Sequence, residues 1–368
     1  MKISSYLLTV VVGVLLASCH SSEKSASVSV LKGYDSLSVS IDYPFLPSYS
    51  DYSGFIREGE IFVGGYNHLT HSFDFISLSG RKNFTLPLEK EGADGVLPVS
   101  AFCFQPSCIV LEDESGIISL SYEGKILNRL SFSSAELKNY SMKPSGVIPG
   151  SLVHLSAVSD RTMIPLFPRD LRATGLSSYS IGMEYDANSG QFALLPVGYP
   201  SGLVSQIQGF QSLLFPGITD SSDRIVYNFP CSAYIYIYDK LTHTTDSILM
   251  TSVDIPCELS PLSENDQNNS RKKYEFENVS ARFLEPYYDS SSGKYFRFHY
   301  GLKSDVFDKN RQAGLVVMDE KDHSLREYRL PEWFSGQYIV AGGTVYMMYR
   351  NGEDDSFVSL ARIDIKDY

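Results

Sequence analysis

Residues 233–249 read Ala-Tyr-Ile-Tyr-Ile-Tyr-Asp-Lys-Leu-Thr-His-Thr-Thr-Asp-Ser-Ile-Leu. An aromatic and β-branched run meets a polar turn at Asp239–Thr242, and a second extended run follows. That pattern is a β-hairpin signature. The same shape recurs at Ser72–Leu86, Ile117–Phe132, Tyr179–Val197, Leu315–Leu330 and Phe357–Tyr368. A second hairpin precedes each of these segments, at Phe55–Val63, Ala101–Val110, Leu152–Ile164, Gln211–Tyr227, Ser280–Phe298 and Tyr338–Met347. Turn residues sit between the runs, including Gln105–Ser107, Gly217–Asp223, Asp289–Gly293 and Gly342–Gly343. Gly supplies positive φ there, and Asp and Ser bond their own backbone. The unit is therefore four antiparallel strands, up and down, repeated six times at roughly 40–50 residues. This predicts an all-β chain, a six-bladed β-propeller of four-stranded antiparallel blades.

The last unit lacks a fourth strand. Tyr34–Ile41 alternates and has no earlier partner. It is expected to complete the sixth blade, closing the ring by pairing N- and C-terminal strands and removing an exposed edge. A seventh blade hidden in Ser252–Asn278, or a pair of β-sandwiches, are the alternative folds. Ser252–Asn278 reads as a long loop, and Ser133–Tyr140 reads as one short capped helix.

The chain has 368 residues with 25 Tyr and 21 Phe against a single Trp, a balance that leans towards pleated structure. Its net charge of −12 argues against a nucleic-acid partner, which would need a basic stripe. Arg271-Lys272-Lys273, its longest basic run, reads as a solvated loop.

The N-terminus carries an address. Lys2 is followed by a largely apolar run to Leu16 and then Leu16-Ala17-Ser18-Cys19. The run is shorter than the roughly 20 residues of a membrane span. It has the parts of an export signal, and its end resembles a bacterial lipobox. The resemblance implies cleavage before Cys19 and lipidation of that residue, including a palmitate-type chain. The expected organisation is a signal peptide over 1–18, a lipidated flexible tether over 19–30 and a propeller over 31–368. Four further cysteines, Cys103, Cys108, Cys231 and Cys257, allow three pairings. Cys103 and Cys108 flank a turn and could pair across a hairpin, or all four could pack as buried thiols.

With its lipobox, its six degenerate blades and their Asp/Gly turns, the chain resembles the uncharacterised six-bladed, TolB-like propeller lipoproteins of Bacteroidetes. It departs from WD40 and kelch types, having no Gly-His…Trp-Asp pair and only Trp333. The resemblance implies a cell-envelope location at the outer membrane and offers no functional residues to carry over.

In a propeller the loops between second and third strands share a face with the connections between blades. That face is the expected binding face. It would present Asn67, His68, Arg169, Arg172, His299, Tyr300, Arg350 and Asn351 to a polar ligand. No Gly-x-Ser-x-Gly elbow, His-Glu-x-x-His or phosphate loop occurs. No cofactor or metal site is expected, and Asp220–Asp223 reads as a hairpin tip rather than a calcium loop. His154 and His299 lie in strand runs. The expected function is binding of an envelope protein, peptide or glycan. A glycan- or peptide-acting hydrolase or lyase, and a structural subunit of an outer-membrane assembly, are the alternatives.

Overall fold

A strand that alternates apolar and polar residues must bury one face, and six such quartets bury theirs against one another. The structure, a computed structural model, describes residues 28–41, 45–46, 49, 51–80, 82–142, 156–158, 161–170, 176–204, 207–256, 259–308, 311–334, 336–341, 344–349 and 356–368. Among these residues, blade 1 comprises Ser53–Arg57, Glu60–Asn67, Ser72–Ser77 and Phe84–Pro87. Blade 2 comprises Ala101–Phe104, Ile109–Asp113, Gly116–Leu120 and Ile126–Leu130. Blade 3 comprises Ser156–Val158, Arg161–Pro165, Gly182–Asp186 and Phe192–Leu194. Blade 4 comprises Gly217–Asp220, Arg224–Asn228, Tyr234–Asp239 and Thr244–Leu249. Blade 5 comprises Arg282–Asp289, Lys294–Tyr300, Ala313–Asp319 and Leu325–Arg329. Blade 6 comprises Tyr338–Ala341, Thr344–Tyr349 and Phe357–Asp364, completed by Asp35–Ser40.

The blades stand in a ring: the innermost strands of blades 1 to 5 touch in chain order, that of blade 6 meets that of blade 1, and blade 5 packs on blade 6 through Phe298 and Tyr338. The closing strand pairs antiparallel with the C-terminal one, from Asp35 opposite Arg362 to Ser40 opposite Phe357. Val39 and Ile41 are buried there. Packing between blades 1 and 2 is largely aromatic. Phe73 and Phe75 of blade 1 meet Phe102 and Phe104 of blade 2, with the Phe75 and Phe104 rings 4.7 Å apart. Each such ring contributes about 2–3 kcal/mol through burial. Between blades 4 and 5 an apolar cluster of Val226, Ile235, Tyr295, Val316 and Met318 is joined by a buried cation. Arg297 is fully buried, stacks 3.6 Å from the Phe283 ring centroid and donates to the carbonyls of Ser232, Ala233 and Met250.

One turn recurs around the ring. An Asp or Asn accepts backbone N–H groups two or three residues ahead, and the fifth residue adopts positive φ. Asp186 and Gly190, Asp239 and His243, and Asp289 and Gly293 follow this rule. Asn67 with His71 and Asp319 with His323 follow it too. Asn and Asp bond their own backbone locally, and a residue in the left-handed region continues the strand twist.

Several expectations are corrected. The propeller begins before the expected residue 31, because Val28–Val30 pairs in parallel with Leu325–Arg329 and covers the outer edge of blade 5. Ser133–Tyr140 forms turns rather than a helix. Ser134 closes them onto Leu137, whose side chain is buried. The helix lies instead at Ser270–Val279, inside the expected loop. Asn269 caps it by accepting from the Arg271 and Lys272 amides, and Arg271 pairs with Glu275. The basic run thus begins a helix. Gln211–Leu214 is a short 3-10 turn, so the inner strand of blade 4 begins only at Gly217. Cys103 and Cys108 do not pair. Strand register places Val110, not Cys108, opposite Cys103, and the buried Cys103, Cys108 and Cys231 are thiols. Cys257 and His154 lie outside the described residues. The Asp220–Asp223 segment is a hairpin tip as expected, with Asp220 2.5 Å from Lys240.

Candidate functional site

The up-and-down order of each blade places the second-to-third-strand loops and the blade-to-blade connections on one face. Several residues expected there as ligand contacts serve the fold instead. Asn67 is fully buried. Its amide donates to Asp74 at 2.8 Å and its oxygen holds the turn through the Leu69 and Thr70 amides. Asp74 also accepts from Tyr49 at 2.8 Å and Thr85 at 2.9 Å, so the loop root is a closed polar network. His68 is exposed at the tip of that turn. Arg169 is exposed along its length, but its Nε donates to the Tyr140 carbonyl at 2.6 Å. Arg172, Arg350 and Asn351 lie outside the described residues.

His299 is fully buried and cannot meet a ligand on the surface. Its Nε2 lies 2.9 Å from Glu327 Oε1 and 3.3 Å from Ser252 Oγ. Ser252 donates to Glu327 at 2.6 Å and the Val253 amide at 2.8 Å. Burial pulls the Glu327 carboxyl upward, and the hydrogen bonds from His299, Ser252 and Val253 outweigh it. A serine, a histidine and a carboxylate in one cluster invite comparison with a hydrolase. In a triad the serine and the acid bond opposite ring nitrogens. Here both meet Nε2, and Nδ1 has no partner. Gly314 between them is required by close approach, since a Cβ there would overlap His299 Nε2. The cluster joins blade 5 to the connection from blade 4.

Tyr300, at the end of the same strand, does reach the expected face. Its ring lies 5.2 Å from the Arg311 guanidinium, and burial pushes its hydroxyl up to about 12. It pairs in register with Arg282, the first residue of the inner strand. Arg282 borders a cleft of about 60 Å³ between blades 4, 5 and 6. The cleft is lined by the Ser212–Ile218 connection, Asn228, Pro230, the Arg282–Glu285 strand start and Gly336. Strand register slips between Phe283 and Pro286, so Leu284 and Glu285 form a bulge at the cleft wall. Bulges re-aim side chains and gather beside functional sites.

The cleft electrostatics are uneven. Arg282 is 5% exposed, donates to the Glu277 carbonyl, and leaves Nε without a partner. Asn228 is fully buried. It donates to the Leu284 carbonyl at 2.8 Å and leaves its Oδ1 without a partner. Arg311 donates to the carbonyls of Gly301 and Ser280. Burial pulls Arg282 down to about 10 and Arg311 to about 9. The nearby acids are engaged elsewhere: Glu277 accepts from Ser212 Oγ at 2.6 Å, and Glu285 from Tyr338 at 2.7 Å and Tyr287 at 3.2 Å. Of this group the sequence singled out Tyr300 alone. A signal for the rest was present in Pro286, since proline inside a strand run marks a bulge.

A family model described as a domain of unknown function, DUF4221, matches residues 29–329. The chain belongs to the DUF4221 family. The match runs from inside the Val28–Val30 strand to the last residue of the outer strand of blade 5, so the DUF4221 region holds the closing strand and five whole blades. Among solved structures, a DUF4221 member from Bacteroides vulgatus superposes with a TM-score of 0.69 at 15% identity, covering 89% of this chain and 95% of that one. A Bacteroides fragilis protein described as exported gives a TM-score of 0.55 at 12% identity, covering 91% and 98%. At such identities the likeness speaks for the fold. None of the curated proteins compared matches. The resemblance to uncharacterised Bacteroidetes propellers is thereby shown, and the six-bladed architecture is that of a DUF4221 chain.

Proposed function

We propose that this DUF4221 chain is a lipid-anchored cell-envelope propeller that binds a protein, peptide or glycan through its loop face. The cleft between blades 4, 5 and 6 carries the reading. It sits where inner strands meet blade connections, and it presents buried polar atoms without internal partners. Exposed apolar side chains support it. Phe307 and Leu302 project from the blade 5 loop, and Leu69 from the blade 1 loop. Exposed apolar groups rimmed by polar ones suit macromolecular partners.

The lipobox ending at Cys19 supports the anchor and the envelope address, together with the described exported relative. Cys19 lies outside the described residues. Strand Val28–Val30 runs parallel to Leu325–Arg329, which climbs to the loop face from the opposite, hairpin face, where first-to-second and third-to-fourth strand turns lie. The polypeptide therefore enters the propeller from the hairpin side. A lipid nine residues upstream of Val28 would leave the loop face turned away from the membrane. Replacing Cys19 by Ala should release the protein from envelope membranes; continued fractionation with them overturns the anchor. A photoreactive residue placed at Phe307 or Leu302 should give partner adducts on intact cells, and one at Leu241 on the hairpin face should not. Adducts from Leu241 alone would overturn the loop-face reading.

A further inference from the structure

We infer that the cleft between blades 4, 5 and 6 receives a free carboxylate at the C-terminal end of an extended peptide. The inference rests on the loop-face reading above and names its ligand class. Three observations converge on it.

The first is charge. Arg282, which lines the cleft, has no carboxylate within ion-pair distance among the described residues, and the acids beside it are held by Ser212, Tyr287 and Tyr338. A guanidinium removed from water without a counter-charge is costly, and a ligand carboxylate removes that cost. The planar guanidinium matches a carboxylate in shape as well as in sign. The unpartnered Arg282 Nε is a donor at the cleft.

The second is pairing. Asn228, at the end of the second strand of blade 4, also lines the cleft, and its Oδ1 is a buried acceptor without a partner. A donor and an acceptor without partners, on two residues lining one small cleft, suit a group with a carboxylate and an adjoining N–H. The last residue of a peptide has both, whereas a lone anion has only the first. The Leu284–Glu285 bulge widens the strand start where the two walls meet.

The third is size and lining. A cleft of about 60 Å³ admits one end group rather than a chain threading through. Phe215, Pro216, Pro230 and Leu284 make its walls apolar, which suits a terminal aliphatic side chain better than the hydroxyls of a sugar.

The test titrates the full-length chain in detergent with the tetrapeptide Ala-Ala-Ala-Leu as free acid and as C-terminal amide, followed by calorimetry. The free acid should bind at least about tenfold tighter than the amide, as expected for loss of one charge-assisted contact. Arg282→Gln should abolish that preference. Equal binding of acid and amide, or no binding of either at millimolar concentration, overturns the inference. The comparison on the unaltered chain stands even where the variant fails to fold. Oligogalacturonate binding in place of the peptide would overturn the peptide class. Loop-face adducts from Phe307 without peptide binding would sink this inference alone, and loss of both would sink the loop-face reading as well.

Discussion

At the scale of single residues, the backbone explains choices that composition does not. His71, His243 and His323 all adopt positive φ at the fifth position of a turn, where glycine serves elsewhere. Two of them gain a partner for that strain, since Tyr66 bonds His71 at 2.7 Å and Tyr238 bonds His243 at 2.8 Å. A β-branched side chain tolerates that region worst. His323→Val should therefore cost about 1–2 kcal/mol in urea unfolding, and His323→Gly should be near neutral. Buried thiols give a second expectation. Burial pushes Cys103 up to about 12 and raises Cys231 as well. Since the thiolate is the reacting species, mass-spectrometric mapping should find both cysteines unlabelled by a thiol reagent until the fold is melted. Labelling in the native state would contradict their burial.

At the scale of elements, the hairpins are set by short-range acceptors. Asp186 and Asp239 sit below the usual carboxylate range, chiefly because the Ser189 and Thr242 amides hold the anion. Lowered carboxyls stabilise the fold fully above their unfolded value of about 4, and that share is lost as pH falls through the lower folded value. Stability should thus decline on acidification below about pH 4, and Asp239→Asn should decline less steeply than the parent over the same window. Parallel curves for the two would remove the turn from the account. The Ser270–Val279 helix shows the limit of pattern reading. Its hydrophobic periodicity is weak, and what sustains it is the Asn269 cap, the Arg271–Glu275 pair and the Glu277 bond to Ser212. The blade 5 bulge is similar, legible only through Pro286.

At the scale of the molecule, closure is the central fact. The sixth blade is sewn from both ends of the described chain, with Asp35–Ser40 laid on Phe357–Arg362. Deleting 33–41 exposes a long edge and removes the buried Val39 and Ile41, a loss of about 3–6 kcal/mol from those side chains alone. Thermal melting of the deletion variant should fall sharply or lose its cooperative transition. Among the described residues, deleting 1–30 removes only the largely exposed Val28–Val30 edge strand and should lower the melting point slightly. Equal effects of the two deletions would show that closure does not hold the ring.

Pattern along the chain was enough to fix the four-stranded unit, its six-fold repeat and the terminal closure. Each rests on period-two alternation and on turn residues, which act between neighbours along the chain. Only the tertiary structure decided which polar residues meet. Asn67 and His299 looked like ligand contacts and became buried braces, because Asp74 arrives from the adjoining strand of blade 1 and Glu327 reaches over from the outer strand of blade 5. Ser212, Asn228, Arg282 and Gly336 are scattered over more than a hundred residues, and the ring gathers them around one cleft. Burial and hydrogen-bond partners are properties of the packed blades, and no local pattern encodes them.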